Sequence, residues 1–190
     1  MNFFAYINRM KYIERWSLMH STTKENIMEH SHQTAIIAHC LAVINNKIYN
    51  GNANAQMTAM LALYHEVSEV ITGDLPTPIK YFNVEIKTAY KDLEKFANEK
   101  LISMLPDEFK EEYSQYVMPD TSCYEYKLTK GADKLAAYIK CIEEVKGGNN
   151  EFVKAKTSIK NELKKSELPE VLYFFKNFIP SYEKTLDELE

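Results

Sequence analysis

The chain is poor in the residues that punctuate structure, with 5 Gly and 6 Pro among 190 residues. So little punctuation excludes collagen-like and low-complexity architectures and argues against many short strands joined by tight turns. Cysteine is scarce too. Cys40, Cys123 and Cys141 are odd in number and form no CxxC pair, which speaks against a disulfide framework and a thiolate zinc site. No apolar run is long enough to span a bilayer, and residues 1–10 are interrupted by charge before a signal-type run develops. A soluble, cytoplasmic protein without membrane partners is expected. Basic charge is also missing: 23 Lys and Arg against 27 Asp and Glu leave a net charge of -4. That is no footprint for a nucleic-acid polymer, although a local pocket can still hold one phosphate.

What is present is Leu, Ala, Glu, Lys and Met at helical spacing over long stretches. The length suffices for one domain with a substantial core, so a single all-α domain over residues 1–190 is expected. Helices are read over residues 3–12, 26–49, 53–71, 83–104, 124–145, 152–165 and 169–187, with short connecting helices beginning at Pro106 and Pro119. Residues 83–104 set Ile86, Tyr90, Leu93, Phe96, Ala97, Leu101 and Met104 on one side and Lys and Glu on the other, a solvated charged face.

Against this background the stretch 64–78 stands out. The segment 53–71 is apolar around most of a helical circumference, through Met57, Met60, Leu61, Leu63, Tyr64, Val67, Val70 and Ile71, so it is expected to be buried. His65 and Glu69, four apart, share a face, and Glu66 lies about 100 degrees from His65. Burying two carboxylates beside an imidazole is costly unless a cation or hydrogen-bonding partner meets them. Gly73 supplies a helix stop, Pro76 and Pro78 hold the next loop extended, and Asp74 projects from that loop close to the cluster.

Three further places carry chemistry. Arg15-Trp16 joins a bidentate anion ligand to a flat apolar surface, suited to a phosphate and a sugar or base; the alternative is a surface cation beside a core anchor. One ligand is expected from Glu29-His30-Ser31-His32, because His30 and His32 lie about 200 degrees apart on a helix and cannot both face one site. Asp133 lies off the main apolar stripe of its helix, in a row with Ala137, Cys141 and Val145. It is either an exposed partner of Lys130 or, if that face is covered, a carboxylate in need of a cation. His30, His65, Glu66 and Asp133 together offer two imidazoles and two carboxylates from three helices, a donor set for Mn, Co, Fe or Zn.

In order along the chain, Arg15-Trp16, Glu29-His30-Ser31, His65-Glu66-Val67-Ser68-Glu69-Val70, Thr72-Gly73-Asp74-Leu75-Pro76-Thr77-Pro78 and Ala132-Asp133 resemble the HD-domain phosphohydrolases. Within these the similarity is to the bacterial 5′-deoxynucleotidases, and it extends to residues 147–152. The resemblance implies an HD-type helical bundle, usually a homodimer, that uses one divalent transition metal ion to remove phosphate from deoxyribonucleoside 5′-monophosphates. It further implies His30, His65 and Asp133 as metal ligands, with Glu66 standing where the eponymous Asp is found. Arg15 falls on a phosphate contact, Trp16 and Asp74 on residues that disfavour a 2′-hydroxyl, and Glu69 on the acid/base carboxylate. The added methylene of Glu66 raises the alternative of a catalytically degenerate nucleotide-binding protein.

Two rivals fail on spacing. A zinc-protease helix needs imidazoles at both ends of its motif, where this chain has His65 and Glu69. A ferritin-like di-iron site needs a second Glu-x-x-His besides Glu29-x-x-His32.

Overall fold

Phe3 and Met10, both buried, anchor the N-terminal segment in a computed structural model that describes all 190 residues. There α1 (Phe3–Ile7) tightens into a 3-10 helix over Asn8–Tyr12, so the helix expected over residues 3–12 is two short pieces. The chain then doubles back. Glu14 forms an isolated antiparallel bridge with Asn26, in which the Arg15 N–H donates to the Glu25 carbonyl at 2.9 Å and the Ile27 N–H to the Ile13 carbonyl at 3.0 Å.

That bridge delivers the chain to α2 (Ile27–Ile48). The Asn26 side chain accepts from the N–H groups of Met28 and Glu29, and the Glu29 carboxylate returns to the Asn26 N–H at 3.3 Å. This reciprocal cap satisfies donors that a helix start leaves open and contributes about 1 kcal/mol. It also fixes the first turn, which carries His30.

After α3 (Ala55–Tyr64) the helix expected over residues 53–71 is broken. Residues 65–68 form tight turns closed by i to i−3 hydrogen bonds, Val67 N–H to Tyr64 O at 3.2 Å and Glu69 N–H to Glu66 O at 3.0 Å, before α4 (Glu69–Thr72). Gly73, at φ 74, ends that turn in the left-handed region open to glycine. The two prolines do not hold an extended loop: residues 77–80 coil into α5 (Thr77–Lys80), which accepts Pro78 because a first turn needs no N–H there. Next come α6 (Val84–Ser103) and α7 (Asp107–Val117). On α6 the expected apolar side is only partly covered, since Leu93 is 44% and Phe96 55% exposed.

The second long helix is α8 (Tyr124–Lys146), preceded by a turn rather than by a helix beginning at Pro119. A 3-10 turn over Asn150–Phe152 leads to α9 (Val153–Leu163), and α10 (Pro169–Asn177) gives way to a 3-10 helix over Ile179–Glu183 instead of running to residue 187. The fold is all-α, and no helix is long and apolar enough to cross a membrane.

Helices α2, α3 and α8 pack together at the centre. One apolar core joins Ala35, Ala38, Leu41 and Ala42 of α2 to Leu128, Ala132, Leu135, Ala136 and Ile139 of α8, with Leu163, Val171 and Phe174 closing it. Gly131 lets α10 approach, for a Cβ there would meet a Val171 methyl at 2.6 Å. A second core gathers Phe3, Met10, Ile27, Val67, Leu101 and Val117. Ile27 and Val67 belong to one core and Ala132 to the other. His30, Glu66 and Asp133 therefore sit at the seam between them.

Candidate active site

The first turn of α2 points His30 into the seam, fully buried, while His32, His39 and His20 are exposed. Of His30 and His32, it is therefore His30 that faces the seam. His30 Nε2 is 3.0 Å from Asp133 Oδ1, and its Nδ1 lies 4.0 Å from Glu25 Oε1 without a hydrogen-bond partner. Burial and the nearby Arg15 charge hold the His30 pKa below its ordinary value.

His65 comes from the end of α3. Its Nδ1–H donates to the Ala62 carbonyl at 2.6 Å, which orients the ring and leaves Nε2 directed inward. Within the tightened turn Glu66 Oε1 stands 3.2 Å from His65 Nε2, and Asp133 Oδ1 is 3.8 Å from the same nitrogen. Burial disfavours charge on His65, but Glu66 and Asp133 outweigh it and push the pKa up to about 9. The same negative potential favours any cation placed beside Nε2.

His30, His65, Glu66 and Asp133 each offer one ligand atom, and these atoms all lie within 4.8 Å of one another. Two buried nitrogens, His30 Nδ1 and His65 Nε2, lack hydrogen-bond partners, as does Glu69 Oε2. Orphaned buried polar atoms each cost about 1–3 kcal/mol, so a site that carries several is built for something besides stability. Two imidazoles and two carboxylates fit a divalent transition metal. The extra methylene of Glu66 does not expel its oxygen from the cluster.

Around the cluster stand the other expected residues. Glu69, 5% exposed, has its pKa raised by burial and by the neighbouring Glu66 charge, whereas Glu66 and Asp133 are held low because His65 and, for Asp133, His30 outweigh burial. Asp133 also keeps Lys130 at 3.9 Å, so the surface pairing read from spacing exists alongside the buried contacts. Burial raises the pKa of Asp74 while Arg15 opposes that shift. Lys80, which donates to Glu94 at 2.7 Å, also lies within electrostatic reach of Asp74.

Arg15 is no surface cation: its side chain is 14% exposed, Nε donates to Glu25 Oε2 at 3.2 Å and Nη1 is 4.0 Å from Glu66 Oε1. Burial disfavours its charge, yet Asp133, Glu25, Glu66 and Asp74 together raise its pKa. Trp16 is half-buried at φ 60, its Nε1–H donating to Glu25 Oε2 at 3.0 Å and its ring 5.3 Å from that of Phe152. A cavity of about 300 Å³ opens beside them, lined by Arg15, Trp16, Met19, His20 and Glu25 among others.

Glu25 is the residue that motif reasoning missed. A buried Arg-Trp pair needs an acceptor, and Glu25 is one of the two carboxylates nearest to it along the chain, which was the available signal.

Comparison with known proteins identifies the family. The family model described as 5′-deoxynucleotidase YfbR-like matches residues 2–182. A 5′-deoxynucleotidase of Vibrio vulnificus is 49% identical over 189 residues, covering 99% of this chain and 97% of the relative. One from Yersinia pseudotuberculosis is also 49% identical, over 191 residues and 99% and 96% of the two chains. Among solved structures, an HD-domain phosphohydrolase from Listeria innocua superposes with a TM-score of 0.81 at 24% identity, covering 95% of this chain and 88% of that one. An HD phosphohydrolase of cyanophage S-2L, bound to dA and one catalytic Zn2+ ion, gives a TM-score of 0.60 at 18% identity over 95% and 96% of the chains. This chain therefore belongs to the YfbR-like 5′-deoxynucleotidase family, on an HD-domain phosphohydrolase fold.

Proposed function

We propose that this protein is a metal-dependent 5′-deoxynucleotidase, converting deoxyribonucleoside 5′-monophosphates to deoxynucleoside and phosphate. The observation that carries the reading is the convergence of four ligand atoms within 4.8 Å, with the Arg15 guanidinium 4.0 Å from one of them and the Glu69 carboxyl beside it. His30, His65, Glu66 and Asp133 would hold the metal, which is Co, Mn, Zn or Fe by donor type. When bound, such an ion supplies positive charge against the phosphoryl oxygens and lowers the pKa of the attacking water.

The chain's own groups do the rest. Arg15, held by Glu25, donates to phosphoryl oxygens and stabilises the charge that develops on them. Glu69 exchanges the proton; in its acid form it can protonate the departing 5′-oxygen. Trp16 and Asp74 shape the sugar site against a 2′-hydroxyl. Residues 1–190 act as one domain in this reading, in the cytoplasm and as a homodimer.

The catalytic reading is preferred to the degenerate, binding-only alternative, in which Glu66 abolishes productive metal binding, because Glu66 Oε1 stays within the cluster. Phosphate release from dAMP and AMP, measured with Mn or Co added to metal-free protein, tests the reading. Faster hydrolysis of dAMP, dependent on metal, is expected. Failure to take up metal, or equal rates on the two nucleotides, would contradict it.

A further inference from the structure

Apart from the contact of Phe152 with Trp16, the segment 147–152 and the end of α8 lie outside the site as described, yet they hold a second buried charge. Glu144, 1% exposed, lies about three helical turns beyond Asp133 on α8. It accepts from the Thr22 N–H at 2.8 Å, the Thr22 hydroxyl at 2.7 Å, the Thr23 N–H at 3.1 Å, Lys140 Nζ at 2.5 Å and Asn149 Nδ2 at 2.8 Å. Lys140 also donates to the Thr23 carbonyl and Asn149 to the His20 carbonyl, while Glu151 accepts the His20 N–H. Loop 17–25 has no regular structure of its own. Backbone groups of His20, Thr22 and Thr23 are met by side chains of α8 and the following turn instead.

That turn also supports Trp16. Gly148, at φ 89, adopts a conformation that costs glycine little, and the Gly148 and Asn149 N–H groups donate to the carbonyls of Val145 and Glu144. The chain is thereby turned so that Phe152, fully buried, meets the Trp16 ring at 5.3 Å. Trp16 needs such support, because φ 60 is disfavoured for an aromatic residue and persists only where its surroundings impose it.

We propose that Glu144, Asn149 and Phe152 are positioning residues that lock Trp16 in its left-handed conformation before substrate arrives, and that discrimination between deoxyribose and ribose depends on this lock. The consequence for substrate rests on the deoxynucleotidase reading; the placement of the indole does not. Glu144 meets only donors, so Glu144→Gln turns an amide N–H2 toward them. Phe152→Leu keeps apolar volume and removes the ring. Arg15, held by Glu25 and by the backbone bridge, stays in place in both.

Trp16 is the only tryptophan, so its fluorescence reports its own surroundings whatever the activity. Emission and acrylamide quenching of the metal-loaded parent, Glu144→Gln and Phe152→Leu are compared with Glu170→Gln. That control alters an equally buried carboxylate, bonded to Asn45 and Tyr124. In the first two variants the emission should shift to the red, quenching should rise, and KM for dAMP should rise by about tenfold with kcat changed by less than about threefold. The dAMP to AMP ratio of kcat/KM should fall, while Glu170→Gln keeps the parent ratio and emission. Parent-like emission and selectivity in Phe152→Leu, which decides the matter if Glu144→Gln does not fold, would overturn the proposal. An equal change in Glu170→Gln would overturn it as well. If the parent hydrolyses neither nucleotide, the functional reading fails, and the fluorescence comparison still decides whether the lock exists.

Discussion

Glu25 accepts the indole N–H of Trp16 at 3.0 Å. The same oxygen takes Arg15 Nε at 3.2 Å, and the other stands 4.0 Å from His30 Nδ1. One carboxylate thus holds both proposed substrate-side residues and stands, without a hydrogen bond, beside an imidazole proposed as a metal ligand. Glu25→Gln preserves shape but removes charge, so Arg15 loses its ion pair and His30 the anion behind it. Metal affinity should fall, by less than the roughly 10- to 100-fold seen where a carboxylate hydrogen-bonds a ligating histidine, and KM should rise. Equilibrium metal binding and steady-state kinetics check both; unchanged metal affinity would mean that Glu25 serves only the substrate arm.

Glu69 is 5% exposed, and its oxygens are not among the four clustered ligand atoms. Proton transfer by a positioned carboxyl contributes about 100- to 10,000-fold, so Glu69→Ala should lower kcat by that factor while about one metal ion per chain remains. Elemental analysis beside phosphate release separates the roles. Loss of metal together with activity would place Glu69 among the ligands instead.

The long helices α2, α6 and α8 were legible because apolar residues recur along them at helical spacing, and the cluster of His30, His65, Glu66 and Asp133 was legible because its residues fall in short motifs. The break at residues 65–68 was not. Val67, Val70 and Ile71 continue the apolar pattern across it, and neither Gly nor Pro marks it, so the tight turns come from packing against the second core rather than from local sequence. Glu25 follows Ser21, Thr22, Thr23 and Lys24, which read as a solvated loop, and it meets Arg15 only because the chain doubles back. Glu144 stands four residues after Lys140, a spacing that reads as a surface ion pair and is here fully buried. Exposed Phe96 is the converse, an apolar stripe that periodicity assigns to a core no neighbour completes.

Glu144 also makes stability depend on acid. Burial disfavours its charge, but Lys140, Thr22 and Asn149 outweigh it and hold its pKa well below the ordinary 4.5. A carboxyl whose folded pKa is depressed stabilises the fold above its unfolded value, and that contribution is lost as pH falls through the folded value. Glu144→Gln, which leaves Lys140 buried without its anion, should cost about 3–5 kcal/mol at neutral pH. The gap between parent and variant should narrow as pH falls below about 4.5. Urea melts across that range test this, and a constant gap would show that the ionised carboxylate contributes nothing beyond its shape.

Glu66 is where the chain departs from the His-Asp pattern, and the structure shows how the longer side chain is accommodated. Its Oε1 lies 3.2 Å from His65 Nε2 and 4.0 Å from Arg15 Nη1. Glu66→Asp withdraws the oxygen by about one C–C bond, roughly 1.5 Å, whereas metal–oxygen distances tolerate about 0.2 Å. An ion held by His30, His65 and Asp133 can move toward the shorter side chain, and Mn and Co accept varied coordination, so Glu66→Asp should keep metal and keep or raise activity. Glu66→Ala has no oxygen to offer, and metal affinity should fall by about an order of magnitude or more. Removing the charge also leaves Arg15 without one of its four neighbouring carboxylates, so KM should change together with metal affinity. Metal titration of the three proteins gives the order: Asp close to the parent, Ala far below both. If Glu66→Ala binds metal and turns over like the parent, Glu66 is no ligand, and a site of two imidazoles and one carboxylate must replace the four-ligand assignment.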